Sequence, residues 1–210
     1  MTLDIQEIFA TLQGEGPYAG WPAVFLRLGG CNLACSFCDT EFESFRSHAL
    51  TEVLAEISRL AANAAGERVR PLVVITGGEP LRQNIAPLCE ALLAAGFTPQ
   101  IETNGTLYQE LPAGVQIICS PKISGGRYHP LHPELLTRIT ALKFLVSAEA
   151  GEYHAPGEVG QTVHQIPVYV QPIDAYDEAK NRANRAHALQ LAESYGYRLS
   201  LQTHKLLGIP

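Results

Sequence analysis

The stretch AVFLRLGGCNLACSFCDT, residues 23–40, joins an apolar run to a loop that is rich in cysteine. Residues 23–28 contain Val, Phe and Leu, which are typical of a β-strand, and the glycine pair that follows ends the strand pattern. Cys31, Cys35 and Cys38 come directly afterwards. The sequence therefore predicts a buried strand whose carboxyl end leads into a metal-binding loop.

The same pattern of an apolar run followed by a short polar turn recurs along the chain, with helical segments between the runs. The predicted strands are residues 23–28, 72–76, 98–103, 115–120, 142–147, 166–171 and 198–203. Alternating strands and helices favour a parallel sheet. A closed eight-stranded barrel takes about 250 residues, so six or seven strands in 210 residues predict a shortened, open βα barrel of the TIM type.

Two of the intervening segments have clear helical signals. Residues 51–62 place apolar side chains at helical spacing and acidic side chains in the first turn. A last helix over about 177–195 begins after Asp177, a good N-cap, and ends at Gly196. Its predicted buried stripe is Ala179, Ala183, Ala186 and Leu189. Residues 147–163 form a long glycine-containing loop to which the composition assigns no role.

Composition and charge narrow the functional class. The chain is 46% hydrophobic and long enough for one core, so we expect a single domain over residues 1–210. It has no apolar run of about 18 residues and begins acidic, which predicts a cytoplasmic protein without a membrane anchor. A net charge of -6 with no Lys/Arg run argues against nucleic acid as a partner. A small-molecule substrate is therefore expected.

The three crowded cysteines lack an obvious fourth ligand. Cys89 lies in an apolar helical pattern and Cys119 in a strand pattern, where free cysteine usually acts as a small buried hydrophobe. His48 would complete a structural zinc site together with the loop cysteines. The alternative is an iron-sulfur cluster on three thiolates with one iron open to a small molecule. The residues alone leave both interpretations open.

A polar turn follows almost every predicted strand. Parallel strands end at one common rim, and in βα barrels this rim carries the active site. Any one of these turns by itself is typical of an ordinary loop, whereas six of them together indicate a functional rim. The six turns are GGCNLACSFCDT, TGGEP, TNG, SPK, QPID and QTHK.

The cysteine loop and the turn after the next strand resemble the radical S-adenosylmethionine enzymes. The loop reads Cys31-x3-Cys35-x2-Cys38 followed by Asp39-Thr40, and TGGEP occupies residues 76–80. The resemblance implies a 4Fe-4S cluster whose fourth iron is chelated by S-adenosylmethionine, which one electron then cleaves to a 5'-deoxyadenosyl radical. Glycine in TGGEP is expected to let the backbone approach this cofactor closely.

The two ends of the chain resemble one family within that class. The segments EIFATLQGEGPYAGWPAVFLRLGGCNL and RLSLQTHKLLGIP are similar to the 7-carboxy-7-deazaguanine synthases, and the similarity spans nearly the whole chain. It implies conversion of 6-carboxy-5,6,7,8-tetrahydropterin to 7-carboxy-7-deazaguanine with loss of ammonia, a step toward queuosine. Mg2+ as a further cofactor, a homodimer and an electron donor such as flavodoxin are implied as well.

Matched positions imply a set of ligands. The cluster would be held by Cys31, Cys35 and Cys38. S-adenosylmethionine would contact Phe37, Asp39, Gly78, Ser120, Pro121, Lys122, Gln171, Pro172, Ile173 and Asp174. The substrate would contact Leu12, Gln13, Gly14, Arg27, Thr76 and Pro210, and Thr40 would bind Mg2+.

The sequence alone leaves the functional roles of several residues undecided. Arg27 suits a bidentate grip on a substrate carboxylate, or an ion pair at the rim. Glu79 is either an acid at a helix N-terminus or a brace near the cofactor. Glu15 and His204 are candidates for proton transfer, with no catalytic residue identified. A short activase that abstracts hydrogen from a glycine of a partner protein is an alternative, and would need a groove for a peptide.

Overall fold

The computed structural model describes residues 1–35 and 43–210. In chain order, its elements are β1 (Thr2–Leu12), β2 (Pro22–Leu28), β3 (Arg46–Ala49), α1 (Leu50–Ala61), β4 (Leu72–Gly77), α2 (Ala86–Ala94), β5 (Thr98–Thr103), β6 (Gln116–Cys119), β7 (Ile123–Ser124), β8 (Arg127–Tyr128), α3 (Pro133–Leu136), β9 (Ala141–Val146), α4 (Gln161–His164), β10 (Val168–Pro172), α5 (Glu178–Tyr195), β11 (Arg198–Leu199) and α6 (Thr203–Leu207). Single 3-10 turns lie at Gly16–Tyr18 and Pro80–Arg82.

Nine of the described strands form one sheet in the order β11-β10-β9-β6-β5-β4-β2-β1-β3. All pairings from β11 across to β2 are parallel, whereas β1 runs antiparallel to both β2 and β3. Among the described strands, β11 and β3 are the two edges and do not pair with each other. The prediction of an open, mainly parallel βα arrangement is confirmed.

Side chains alternate between the two faces of this sheet. In β9, Leu142 and Phe144 are fully buried in the main core, while Lys143 and Leu145 line a cavity on the opposite face. The core face packs against the helices, where α1 buries Val53 and α2 contributes its own apolar side chains. The inner face is thereby left for polar residues.

Six of the predicted strands are confirmed within two residues, but the seventh is wrong. Instead of a strand over 198–203, β11 is short and helix α6 begins at Thr203. The chain leaves the sheet after Ser200, whose N–H still donates to the Val170 carbonyl oxygen of β10 at 2.9 Å, while its Oγ donates to Gln171 at 2.8 Å and accepts from the Gly16 N–H at 2.8 Å. These bonds turn the C-terminal segment toward the loop after β1.

Strand β1 is a feature that the sequence analysis missed. It buries Leu3 and Ile5 in the core and pairs along β2, with Leu12 opposite Pro22. Because β1 runs antiparallel to β2, the last residue of β1 lies beside the first residue of β2, at the end of the strand opposite the cysteine loop. Residues 13–15 therefore reach the inner face of the sheet from that end. The rim argument, which considers only the carboxyl ends of parallel strands, therefore could not place them.

Both predicted long helices exist, but the buried face of the last one was wrong. The Asp177 carboxylate caps α5 by accepting from the Lys180 N–H at 2.9 Å, and Gly196 ends it with φ +69°. Asn184 turns a different stripe inward, since its side chain bonds to Ala148 N and Ile173 O, both at 2.8 Å. The buried residues are Asn184, Ala188, Leu191 and Ala192, whereas Ala179, Ala183, Ala186 and Leu189 are exposed.

The predicted long loop runs irregularly until α4 starts at Gln161. None of the helices in the described part of the chain combines the length and the apolar character that a membrane crossing requires.

Candidate active site

A cavity of about 450 Å³ opens on the inner face of the sheet. It gathers most of the residues that the sequence analysis singled out: Leu12, Gln13, Glu15, Arg27, Cys31, Cys35, Thr76, Gly78, Ser120, Lys122, Gln171, Ile173, Asp174, His204 and Pro210. Gly14, Pro121 and Pro172 are neighbours in sequence that do not line it. Phe37, Cys38, Asp39 and Thr40 lie outside the described residues.

The start of the cysteine loop is fixed by the turns after β4 and β5. Arg82 donates from Nη1 to the Cys31 carbonyl oxygen at 3.0 Å, and Glu79 N–H donates to the Gly30 carbonyl oxygen at 2.9 Å. Asn104, in the TNG turn, donates from Nδ2 to Asn32 Oδ1 at 2.9 Å. The TGGEP and TNG turns therefore orient the half-buried thiols of this loop toward the cavity.

The two glycines of TGGEP are required by close backbone packing. Gly77 has φ +123°, and a Cβ there would lie 2.1 Å from the Leu28 carbonyl oxygen. A Cβ on Gly78 would lie 2.0 Å from the Gly30 carbonyl oxygen. The end of β4 thus lies directly against the root of the cysteine loop, a reason for glycine that the sequence analysis did not include.

Glu79 has both of the roles that the sequence left open. Its Oε1 accepts from the Leu81 N–H at 3.0 Å, which caps the 3-10 turn, and from Thr103 Oγ1 at 2.8 Å. Its Oε2 accepts from the Asn104 N–H at 2.7 Å. Burial raises the pKa of Glu79, and these hydrogen bonds oppose the rise. The residue is a buried brace between β4 and the TNG turn.

Polar residues after β6 and β10 form another wall. Lys122 folds back so that Nζ donates to Ser120 Oγ at 2.6 Å, and burial together with the charge of Lys143 lowers its pKa. Asp174 is fixed by Asn181 Nδ2 at 2.8 Å and by Lys205 Nζ at 3.0 Å. The SPK and QPID turns therefore present oriented donors and acceptors to one side of the cavity.

The floor of the cavity holds an ionic group that the sequence analysis only partly anticipated. Lys143 Nζ contacts Glu15 Oε2 and lies 3.0 Å from Glu102 Oε2. Glu15 comes from the loop after β1, whereas Glu102 and Lys143 lie within β5 and β9. The sequence signal for the latter two was a charged residue inside an otherwise apolar strand, as in LKFLV.

Burial and the neighbouring charges shift the pKa values of these three residues in opposite directions. Burial by itself raises the pKa of Glu15, but the charge and hydrogen bond of Lys143, with bonds from Gln202 and Gln171, lower it to about 2. Burial raises the pKa of Glu102, and Lys143 opposes the rise. The pKa of Lys143 itself lies above its usual value: burial favours the neutral amine, but the two carboxylates outweigh it. Lys143 is therefore a cation held by two acids.

Arg27 lies at the mouth of the cavity at the end of β2. Its Nε donates to Glu7 Oε1 at 2.7 Å, and its guanidinium lies 5.7 Å from the centre of the Phe9 ring. The ion pair at the rim is thus present, and the side chain also lines the cavity. The ion pair is therefore confirmed, and the bidentate grip on a substrate carboxylate stays a prediction.

The C-terminal segment closes one side of the cavity. Thr203 donates to the Gly14 carbonyl oxygen from its N–H at 3.1 Å and from Oγ1 at 3.0 Å. His204 packs so closely on Gly14 that a Cβ there would lie 2.1 Å from Nδ1. At the end of the chain, Pro210 O accepts from Thr11 Oγ1 at 2.7 Å. The last residue therefore reaches the same cavity as the cysteine loop.

A second cavity of about 750 Å³ adjoins the first, because Cys35 and Ile173 line both. Its walls include residues 123–125 and, from the long loop, Ser147 and residues 149–153. Tyr153 fixes this loop by accepting at its hydroxyl from the Ile123 N–H at 2.9 Å. The long loop is thus one wall of an extended binding region.

The remaining cysteines and His48 line neither of the two cavities. Cys89 and Cys119 are fully buried; burial raises the pKa of Cys89 to about 12 and raises that of Cys119 as well. His48 lies in β3 opposite Leu3, with Nδ1 3.8 Å from a Glu52 oxygen, and does not line either cavity. The structure therefore favours neither Cys89, Cys119 nor His48 as a fourth ligand.

Comparison with known proteins agrees with this geometry. Residues 26–116 match the Radical SAM superfamily. The solved structure described as the crystal structure of QueE from Escherichia coli has a TM-score of 0.73 and 27% identity, covering 96% of this chain and 94% of that one. An open βα sheet with a cysteine loop after its first parallel strand thus defines a radical S-adenosylmethionine enzyme.

More similar relatives narrow the identification. A 7-carboxy-7-deazaguanine synthase from Rickettsia prowazekii is 50% identical, with 99% of this chain and 88% of the relative covered. One of the same name from Rhodospirillum rubrum is 43% identical, with 99% and 93% covered. The chain belongs to the 7-carboxy-7-deazaguanine synthase family, and it is a radical S-adenosylmethionine lyase of 7-deazapurine biosynthesis. The activase and zinc interpretations are not supported.

Membership of the superfamily implies a 4Fe-4S cluster and S-adenosylmethionine, and the described residues fit both. The thiols of Cys31 and Cys35 share one cavity wall, as ligands of a single cluster must. Beside them, Gly77 and Gly78 of TGGEP also line the cavity, and their backbone lies directly against the root of the cysteine loop. Oriented polar groups of SPK and QPID lie within the same cavity, which suits a zwitterionic cofactor.

Proposed function

We propose that the cavity on the inner face of the sheet is where 6-carboxy-5,6,7,8-tetrahydropterin becomes 7-carboxy-7-deazaguanine and ammonia. The observation that supports this most strongly is that Cys31, Arg27, Gln13 and Pro210 line one cavity although they come from distant parts of the chain. A thiolate-held cluster and a site for an acidic heterocycle would then lie within reach of each other.

The cofactor side of the site is assigned to the rim turns. Cys31 and Cys35, with Cys38, would hold the cluster, and S-adenosylmethionine would lie along the SPK and QPID turns. Phe37 and Asp39 belong to this assignment. Bound together, the cluster and S-adenosylmethionine supply the radical that starts the rearrangement. The chain itself orients the cofactor, through groups such as the Asp174 carboxylate that Lys205 and Asn181 hold in place.

The substrate side of the site is assigned to the ends of β1 and β2 and to the C-terminus. Arg27 would bind the substrate carboxylate, which suits a guanidinium with its parallel donors. The α-carboxylate of Pro210 would accept from the amino group and ring N–H of the pterin. This is supported by the bond of Pro210 to Thr11 and by the contact between α6 and Gly14. Leu12, Gln13 and Thr76 would complete the substrate pocket.

Magnesium is assigned to Thr40 together with oxygens of the bound substrate. Mg2+ takes six oxygen ligands and keeps several waters, so a single threonine hydroxyl is too weak a site by itself. The carboxylate of the substrate is the ligand that this assignment requires. Metal binding and substrate binding would therefore depend on each other.

The proposal extends to the setting of the enzyme. The chain would act as a single domain over residues 1–210 and as a homodimer, which would cover exposed edges of the open sheet. A small electron-transfer protein such as flavodoxin would reduce the cluster. A cytoplasmic location suits a thiolate-held cluster, because that compartment is reducing.

The test is a product assay under anaerobic conditions. Reconstituted enzyme would be incubated with S-adenosylmethionine, a chemical reductant, Mg2+ and the carboxytetrahydropterin, and the products identified by mass spectrometry. The expected products are 7-carboxy-7-deazaguanine and ammonia in equal amounts, with none from a Cys31→Ala control. Cleavage of S-adenosylmethionine without any ring-contracted product would reject this substrate while keeping the enzyme class.

A further inference from the structure

The ionic group on the floor of the cavity is not balanced in charge. Glu15 and Glu102 bring two carboxylates to one ammonium, that of Lys143, and all three side chains are at least four-fifths buried. The other charged group that acts on them is Lys122, which lies after β6 and folds back onto Ser120. Glu15, Glu102 and Lys143 by themselves carry one net negative charge when both acids are ionised, and a charged Lys122 would offset it.

The hydrogen bonds around the two acids are those of ionised carboxylates. Glu102 accepts at Oε1 from Gln100 Nε2 at 2.7 Å and from Gln13 Nε2 at 3.3 Å, while Oε2 accepts from Lys143. On the other acid, Glu15 Oε1 accepts from Gln202 Nε2 at 3.0 Å. These partners are all donors, so they favour the charged form of each acid.

We propose that Lys143 is a positioning residue of the active site, which bridges Glu15 and Glu102, turns both toward the substrate cavity and favours their charged forms. The same bridge fixes Gln13, because Gln13 bonds to Glu102 through its amide nitrogen and to the Glu15 N–H through its amide oxygen. Lys143 thus connects the loop after β1 to the strands β5 and β9 at the floor of the cavity.

This inference rests on the proposed function, in which a ring nitrogen leaves as ammonia. Overall, both carbon–nitrogen bonds of that nitrogen break, a carbon–carbon bond closes the smaller ring, and the two hydrogens that the nitrogen gains are ones that the ring carbons lose as the ring becomes aromatic, so no oxidant or reductant is consumed. A nitrogen that takes up a proton becomes positive. The two carboxylates that Lys143 holds beside the cavity would stabilise that positive charge in a low-dielectric site.

Two substitutions within this ionic group should shift the acid limb of the kcat/KM profile in opposite directions. Without the cation, as in Lys143→Gln, burial dominates and the pKa of Glu102 rises, so the acid limb of the kcat/KM profile moves to higher pH. In Glu15→Gln one acid is removed, the charge of Lys143 falls on Glu102 alone, and the limb moves to lower pH. A neighbouring opposite charge moves a pKa by roughly 1–3 units, so a displacement of about one pH unit in each direction is expected.

The experiment measures kcat/KM for product formation against pH in wild type, K143Q, K143R and E15Q, with R59Q as a control on the exposed Arg59–Glu56 pair of α1. K143Q should lose at least about tenfold at pH 7 and recover toward wild type at higher pH. The K143R variant should keep the wild-type limb, because it keeps the charge. R59Q should match wild type throughout. A uniform loss in K143Q with an unshifted limb would show a merely structural role and overturn the inference.

A second measurement is independent of turnover. The infrared difference spectrum of the holoenzymes at pH 7, K143Q minus wild type, should show an added carbonyl stretch of a protonated carboxylic acid that is missing when the double variant K143Q/E102Q replaces K143Q. Absence of this band from folded K143Q would contradict the role given to Lys143. If wild type forms no ring-contracted product, the proposed function fails, whereas the infrared result still decides what Lys143 does.

Discussion

Replacing Gly14 by alanine should damage the substrate site while leaving the cofactor side intact. The added Cβ would lie 2.1 Å from His204 Nδ1, 2.9 Å from its Cγ and 3.0 Å from its backbone nitrogen. Because the backbone as well as the ring is in the way, a rotation of the side chain does not remove the overlap. Helix α6 must then move away from the loop after β1, and Pro210 moves with it.

The cost of that movement follows from the bonds that it breaks. Thr203 N–H and Oγ1 both donate to the Gly14 carbonyl oxygen, at 3.1 and 3.0 Å. At about 1 kcal/mol for each bond, the displacement costs about 2 kcal/mol, which corresponds to roughly a 30-fold loss in kcat/KM. Helix α6 buries no residue of its own, so the melting temperature should change little.

The assay is steady-state formation of the ring-contracted product, with iron content and the slow cleavage of S-adenosylmethionine without substrate as parallel readouts. In Gly14→Ala the rate of product formation should fall, whereas the iron content and the slow cleavage of S-adenosylmethionine should stay at wild-type values. Gly114→Ala is the matched control, because its Cβ would meet only the flexible end of Leu93. Wild-type kcat/KM in the Gly14 variant would refute the contact between α6 and the substrate site.

Three further predictions concern the cofactors and the chain end. Alanine at any cysteine of the loop should abolish iron binding, measured as iron content and visible absorbance, whereas Cys89→Ala and Cys119→Ala should retain full iron. Mg2+ should bind appreciably only with substrate present, so calorimetric titration of the substrate-free enzyme should show no tight site; stoichiometric binding there would reveal a site other than Thr40. A short peptide added after Pro210 should lower kcat/KM about 10- to 100-fold at unchanged iron content, through about 1–3 kcal/mol of unpaired substrate donors; equal kcat/KM would remove this carboxylate from the site.

The strands and the rim were predictable because their signals are local. An apolar run followed by a glycine pair, as at residues 23–30, specifies both a strand and the place where it ends. Parallel order then brings the ends of β2, β4, β5 and β6 to one rim without any further information. This is why the cavity contains residues of all six predicted polar turns, although the sixth lies at the start of α6 and not at the end of a strand.

The floor of the cavity was not predictable in the same way, because it depends on pairing between distant segments. Strand β1 lies antiparallel on β2, and its end therefore brings Glu15 to Lys143, 128 positions away. A lysine within LKFLV is unusual in a buried strand, but its partners are set by the tertiary fold. The buried face of α5 was missed for a related reason, since Asn184 bonds to two loop segments that no helical pattern contains.

The most direct test of the central claim, that these distant segments build one site for cofactor and substrate, is a crystal structure of the anaerobic enzyme with S-adenosylmethionine and 6-carboxy-5,6,7,8-tetrahydropterin bound. It should show the substrate carboxylate on Arg27 and the amino edge of the pterin on the carboxylate of Pro210. The cofactor should lie between the cysteine loop and Asp174. A pterin bound outside this cavity, or one whose carboxylate points to Lys122 instead of Arg27, would contradict the account.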